Sequence, residues 1–287
     1  MISEEKIPCA VFLRVGLDSR LGGIWGPIMN DRIFEFIPFP AYRGKNSPGL
    51  KDEGQLGKDL KIETYREVQG INHPAQRLSE FLPTDMIKCG SEYWNSPANI
   101  VPHLDPNFRH RTYGDYWHSD TGRLPNKWKR FVDREDMGEL FVFFFATLAI
   151  LPEERTFKEY SAQQKKDCGD YLIGVMKIAR VVEIHNSNWV AALEAHPDMR
   201  DQLVHNFHYR ENEERKDPVV VVAGDETRGS TFIAPKAEPL RIRIGKKWRV
   251  EELGKQLFLT DKAPLRGIAY LYDIDFARRI LRTLRNS

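Results

Sequence analysis

The sequence predicts an α+β fold organised around a β-rich middle, and three observations predict it. Residues 138–146, Gly-Glu-Leu-Phe-Val-Phe-Phe-Phe-Ala, are aromatic and β-branched and start on a glycine, the strongest strand signal in the chain. Residues 171–184 and the valine run within 218–224 repeat that signal. Residues 273–284 change period instead: Ile274, Ala277, Ile280, Leu281 and Leu284 fall on one helical face, with Arg278, Arg279, Arg282 and Arg285 off it.

The remaining elements follow in chain order. Residues 11–15 form a short apolar strand that runs into the glycine-rich turn of residues 16–23, a place where side chains and backbone N–H groups are presented. Residues 33–36 predict a second strand, closed by Pro38 and Pro40, which cannot sit inside a sheet. Residues 42–69 are polar and rich in Gly and Lys, which predicts a long loop with a short strand near residues 62–65. A short helix is expected at 73–81. Residues 101–106 carry Pro102 and Pro106 and must be extended or turned. The segment 171–184 contains Gly174, where a bulge is expected. Helices are expected at 189–196 and 199–206.

At 287 residues, of which 41% are hydrophobic and 29% charged, the chain is large enough for one large domain or two modest ones with a real core. The N-terminal ten residues carry Glu4, Glu5 and Lys6 without an apolar stretch behind them, so no secretory signal is expected. The longest apolar run, residues 140–151, is far below the ~20 residues a membrane helix needs. Cys9, Cys89 and Cys168 are widely separated, which argues against a disulfide framework and for reduced thiols in a cytoplasmic protein. Net charge is only +2, but it is uneven. Residues 241–287 hold 12 Lys/Arg against 5 Asp/Glu, and residues 107–134 hold 7 against 3. Local basic surface of this kind suits phosphate binding.

Several catalytic signatures are missing: there is no GxxxxGK[ST], HExxH or GxSxG, and Gly22-Gly23-Ile24-Trp25-Gly26 does not fit the dinucleotide fingerprint. Three candidate groups remain. Arg14, Asp18 and Ser19 stand at the strand-to-glycine turn; Asp18 suits a general base or a partner for an exocyclic amine, or else caps the turn with Ser19. His103 and Asp105 share one face of an extended segment, a pair suited to proton transfer or to metal ligation. A metal needs ~3–4 ligands. Asp18, Asp115 and His118 are the candidates for a third, and no metal or cofactor is assigned. Third, Phe108, Tyr113, Tyr116, Trp117, Trp128 and Phe131 interleave with Arg109, Arg111 and further cations up to Arg130. Rings beside cations are what an unpaired base and its phosphate require, although some of these rings must belong to the core.

Read together, the segments Arg14-Val15-Gly16-Leu17-Asp18-Ser19, Gly22-Gly23-Ile24-Trp25-Gly26-Pro27-Ile28 and Phe34-Glu35-Phe36-Ile37-Pro38 resemble the opening of the family called nucleotide modification associated domain 3. So do Pro102-His103-Leu104-Asp105-Pro106-Asn107-Phe108, Thr112-Tyr113-Gly114-Asp115 and the Val-Val-Val-Val-Ala-Gly-Asp of residues 219–225. Residues 138–144 followed by residues 171–176, Tyr-Leu-Ile-Gly-Val-Met, are similar in layout to PUA-like and EVE-type domains, small β-barrels that grip a flipped or modified base, although Glu139 stands where Asp is more usual. The resemblance implies a PUA-like mixed β-barrel elaborated by an N-terminal strand-loop region and peripheral helices. Residues 1–240 would form the domain, with the barrel core at about 138–240, and residues 241–287 a basic strand and helix extension packed on it.

The function so implied is recognition of modified or flipped bases in DNA, within a DNA-modification or defence system and with possible partner proteins. Arg14, Ser19, Arg109, Arg111, Tyr113, Asp115 and Trp117 are the expected binding residues. The alternative is an enzyme acting on a nucleobase or nucleotide, of hydrolase, glycosylase or transferase type, with Asp18, His103 and Asp105 as its catalytic groups. A third reading makes the aromatics a protein interface in a larger complex.

Overall fold

A computed structural model describes residues 7–15, 26–38, 63–82, 87–89, 92–94, 101–116, 128, 130–132, 134, 137–151, 167–184, 189–210, 219–244, 247–257 and 269–287. Asp18, Ser19, Trp117 and His118 lie outside the described residues.

Two long antiparallel strands form the centre, β6 (Phe141–Ile150) and β7 (Cys168–Ile184). On the free edge of β6, β1 (Ala10–Arg14) runs parallel, and β11 (Ala269–Leu271) pairs with β1 antiparallel. The far end of β6 takes β2 (Gly26–Ile28), also parallel. The N-terminal half of β7 pairs with β9 (Thr231–Ile244), which carries β10 (Lys247–Val250) beyond it. The C-terminal half of β7 leaves β6 and pairs from Ile178 onward with β8 (Val219–Gly224), and β8 in turn takes β5 (Thr112–Tyr116). The result is a nine-stranded mixed sheet, with β3 (Ile87–Cys89) and β4 (Glu92–Trp94) forming a separate pair.

Both faces of the central strands are covered, which is why residues 141–149 are buried without a break and read as a continuous apolar run. By strand alternation Val142, Phe144, Ala146 and Leu148 enter one core with Val11, Leu13, Trp128 and Phe131. Phe141, Phe143 and Phe145 enter another with Ala10, Phe12 and the C-terminal helix. That helix, Ile274–Asn286, is capped by Asp273, whose carboxylate accepts from Phe276 N at 2.9 Å. It buries Phe276, Ala277, Ile280 and Leu284.

The valine run of β8 is explained the same way. Val220 and Val222 join the first core, while Val219 and Val221 pack under short helices that follow β7. Those helices are α1 (Trp189–Ala195), α2 (Arg200–Val204) and α3 (Phe207–Arg210). A fourth, α4 (Glu252–Gln256), precedes the C-terminal helix, α5.

Several expectations change, among them the short strand near 62–65, of which the described residues 63–65 are loop and turn. The closed barrel is not what the described strands build: the pairing path ends at β10 on one side and β11 on the other, so the sheet is open. Among the described strands β10 pairs with β9 alone and β11 with β1 alone, while β7 pairs with β6 and β9 in its first half and with β8 in its second, so the two ends of the path do not meet. Residues 33–36 make one bridge, Phe34 to Ile28, rather than a strand, and the Phe34 carbonyl accepts from the Asn72 side chain at 3.1 Å. The helix expected at 73–81 shrinks to a single 3-10 turn, Leu78–Phe81. Among the described residues, no helix is long and apolar enough to cross a membrane.

Candidate functional site

The site is organised by the turn after α2, His205-Asn206, and by α3 itself, Phe207-His208-Tyr209-Arg210. Asn206 caps α3, its Oδ1 accepting from Tyr209 N at 3.1 Å. Its Nδ2 donates to Thr112 Oγ1 at 2.9 Å, which ties the helix to β5. The facing residue on β5 is Gly114, and a Cβ there would stand 2.4 Å from His208 Cδ2. Glycine is therefore what lets α3 approach.

His208 reaches Asp105, its Nε2 lying 3.1 Å from Oδ2, while Asp105 Oδ1 accepts from Gly114 N at 2.9 Å. The ring of His103 stands edge-on to His208, with centroids 4.7 Å apart, and 4.0 Å from Phe207. All three polar residues are buried, His103 at 2%, Asp105 at 7% and His208 at 6% exposure. Burial pushes the Asp105 carboxyl above its ordinary range, and the bond to His208 pulls it partly back. The expected shared face of His103 and Asp105 is present, and alternation sends their neighbours Pro102, Leu104 and Pro106 to the other side.

That other side lines a cavity of about 720 Å³. Phe36, Phe108, Phe207 and Phe232 supply its rings. Phe108 packs edge-on to Phe36 at 6.5 Å and to Phe144 at 5.4 Å, resting on β7 at Gly174, where a Cβ would come within 2.6 Å of it. Arg77, Arg109 and Arg210 supply cationic groups, and Glu63 and Glu67 acidic ones. The Nε and Nη2 atoms of Arg210 are buried without a hydrogen-bond acceptor among the described residues. Burial lowers its pKa from the ordinary arginine value, and only the nearby Glu63 opposes this.

One wall of the cavity is held by Glu35. This carboxylate is fully buried and accepts from Ile71 N at 2.8 Å, Asn72 N at 3.2 Å and His73 N at 3.1 Å, with His73 Nδ1 a further 3.0 Å away. His110 and His205 stand at the rim with Asp201 beside them. Burial, followed by the neighbouring His110, pulls the His205 imidazole down to about 4.

The sequence-derived candidates separate. Arg109 lines the cavity. His103 and Asp105 stay together behind its wall with His208. Arg111 turns to Glu226 at 3.3 Å, and Tyr113 is buried against Trp128 and Phe144. Asp115 lies on β5 opposite Val220 and is half-buried. Arg14 donates from Nη2 to Thr147 Oγ1 at 2.7 Å, on the face of the sheet that carries α5. Sequence reasoning did not single out Glu35, His205, His208 or Arg210. For the last three the signal available was the cluster of two histidines, an asparagine and an arginine in residues 205–210, which reads as an ordinary helix until β5 is placed against it.

Residues 9–262 match the family described as nucleotide modification associated domain 3, and the chain belongs to that family. No curated protein and no solved structure matches the chain.

Proposed function

From that membership, which ties the chain to nucleotide modification, we propose that it recognises a modified or extruded nucleobase in the cavity, rather than transforming one. The observation that carries the reading is the pairing of an aromatic enclosure with the half-buried Arg210, whose Nε and Nη2 are buried without an acceptor among the described residues. Its volume of about 720 Å³ falls within the ~300–1,000 Å³ typical of small-molecule sites. Phe36, Phe108, Phe207 and Phe232 would contact the base faces. Arg210 would meet a base-edge or phosphate oxygen at depth, and the exposed Arg109 a phosphate at the mouth. Because the sheet is open, the reader would be a cavity on one sheet face rather than the mouth of a barrel.

Titration with free nucleotides, plain DNA oligonucleotides and oligonucleotides bearing modified bases tests this, at low and raised salt. Binding is expected, preferring modified over plain bases, and for oligonucleotides weakening steeply with salt. Phe108→Leu keeps an apolar filler and removes the ring, so affinity is expected to fall by ~1–3 kcal/mol, the worth of one stacked base. Arg210→Met is expected to weaken binding as well. Failure of every probe to bind at low salt overturns the reading.

Catalysis on a base is the second reading, favoured by the contact of Asp105 with His208 beside His103, an arrangement that proton transfer uses. It is weaker because these groups face away from the cavity lining. Turnover that is lost in Asp105→Asn with binding retained would restore it.

A further inference from the structure

A second group of side chains at the cavity rim has the composition of a metal centre. Asp201, on α2, and His205, just past its end, are four residues apart, so both project from one face of the helical turn. His110 comes from the turn that precedes β5 and brings Nδ1 to 3.1 Å from Asp201 Oδ2. His205 Nε2 lies 3.5 Å from Asp201 Oδ1. The ligand atoms of all three lie within 4.8 Å of one another. The two imidazoles stack nearly parallel, with centroids 3.4 Å apart and planes at 17°, so one ring must turn out of the stack for both to meet one ion.

A separate observation concerns how the histidines are held. The side chain of Asn107 accepts from His110 N at 3.2 Å through Oδ1 and donates to His205 O at 3.2 Å through Nδ2. One amide thus fixes the backbone of both imidazole-bearing residues to each other, although they come from distant parts of the chain. Metal sites use supporting contacts of this kind to set ligand spacing. A single carboxylate facing two imidazoles is also more than one ion pair requires.

Exposure distinguishes this group from His103, Asp105 and His208. The latter are sealed in the core, with both Asp105 oxygens engaged by Gly114 and His208. Here His110 and His205 line the cavity and the Asp201 side chain is 52% exposed. We propose that His110, Asp201 and His205 bind a divalent first-row transition ion whose remaining coordination positions face the cavity. Two imidazole nitrogens and one carboxylate suit zinc or ferrous iron, and three protein ligands with open positions are the pattern of reactive rather than structural centres. An ion held there would meet an oxygen or nitrogen donor of the cavity's occupant.

The proposal does not rest on base recognition, and its test contains no nucleotide. Full-length protein, stripped with a chelator, is titrated with Zn²⁺ alone by calorimetry and with Co²⁺ by visible absorption. One equivalent per chain is expected, with cobalt ligand-field bands. His110→Gln and His205→Gln are each expected to weaken uptake by roughly tenfold or more, and Asn107→Ala to weaken it as a positioning change. His110 is partly exposed, so the glutamine variant there keeps the test open if His205→Gln fails to fold. No uptake by the wild type overturns the proposal. So does uptake that persists in His110→Gln but is lost in Asp105→Asn, which would assign the ion to the buried cluster.

Discussion

A single methyl group is enough to test how closely α3 must sit on β5. At Gly114 an added Cβ would lie 2.4 Å from His208 Cδ2 and 2.7 Å from Asn206 Oδ1, both on a helix that cannot retreat without breaking the Asn206–Thr112 bond. Gly114→Ala is therefore expected to cost ~1–3 kcal/mol of stability, the usual range for overpacking. A shift in the denaturant midpoint at unchanged slope measures it. Asp225 gives a test with a pH signature. The Thr227 hydroxyl holds its carboxyl down, assisted by Lys177 at 2.9 Å and the Thr227 N–H at 2.6 Å, to about 2 from an ordinary 3.8. Because the folded value is the lower one, this contribution is present above the ordinary value and disappears as pH falls from 3.8 through 2. Asp225→Asn is expected to be less stable than the wild type by ~1 kcal/mol at neutral pH, given its partial exposure. Acid titration of both proteins should show the gap closing across that window. A gap that persists at pH 2 would mean that the interaction is not ionic.

At the scale of elements, Asn206 decides where α3 points. It caps the helix and joins it to β5, so its loss removes a cap and leaves the buried Thr112 hydroxyl without this donor. Asn206→Ala is expected to cost ~1–2 kcal/mol for the cap alone. Because Phe207 and Arg210 ride on the same short helix, nucleotide affinity is expected to fall with it. Titration at a temperature where the variant remains folded separates the two effects. The turn also explains what was legible in the sequence. β6, β7, β8 and α5 were plain because each carries its own periodicity or an unbroken β-branched run. β9 was hidden by Pro235 and Pro239, which ordinarily exclude a strand. It tolerates them because its register against β7 shifts between Tyr171↔Pro239 and Gly174↔Ile233, and Ala237 N there turns to Arg32 O. The spacing of His103 and Asp105 correctly placed both on one side of an extended segment. Which side faced the cavity depended on a helix about a hundred residues away, and local pattern carries no information about that.

Across the whole molecule the proposed recognition cavity and the α5 face lie on opposite sides of the sheet, and Arg14 is where a separation of stability from binding can be measured. Arg14 belongs to the family-like opening of the chain and was expected to bind the ligand. It begins a chain of polar contacts on the α5 face. Its guanidinium donates to Thr147 Oγ1 at 2.7 Å, Thr147 donates to Asp170 Oδ1 at 2.7 Å, and Arg241 Nε donates to Asp170 Oδ2 at 2.6 Å. Asp170 and Arg241 are each 2% exposed, so this network crosses β1, β6, β7 and β9 where apolar packing gives way, and Trp248 covers Arg241 at 4.4 Å. Removing one partner of a buried pair leaves the other charge uncompensated, at a cost of ~3–5 kcal/mol, so Arg241→Met is expected to be severe. Arg14→Ala, at the half-buried end of the network, is expected to cost ~1–3 kcal/mol, the value of a hydrogen bond to a charged group. Neither change touches Phe108 or Arg210, which rest on the opposite face through Phe144 or ride on α3. Arg14→Ala should therefore lower Tm while leaving nucleotide affinity unchanged, and Phe108→Leu should lower affinity with the smaller effect on Tm. A fall in affinity for folded Arg14→Ala, measured well below its Tm, would show instead that the arginine contacts the ligand and that the two faces share one site.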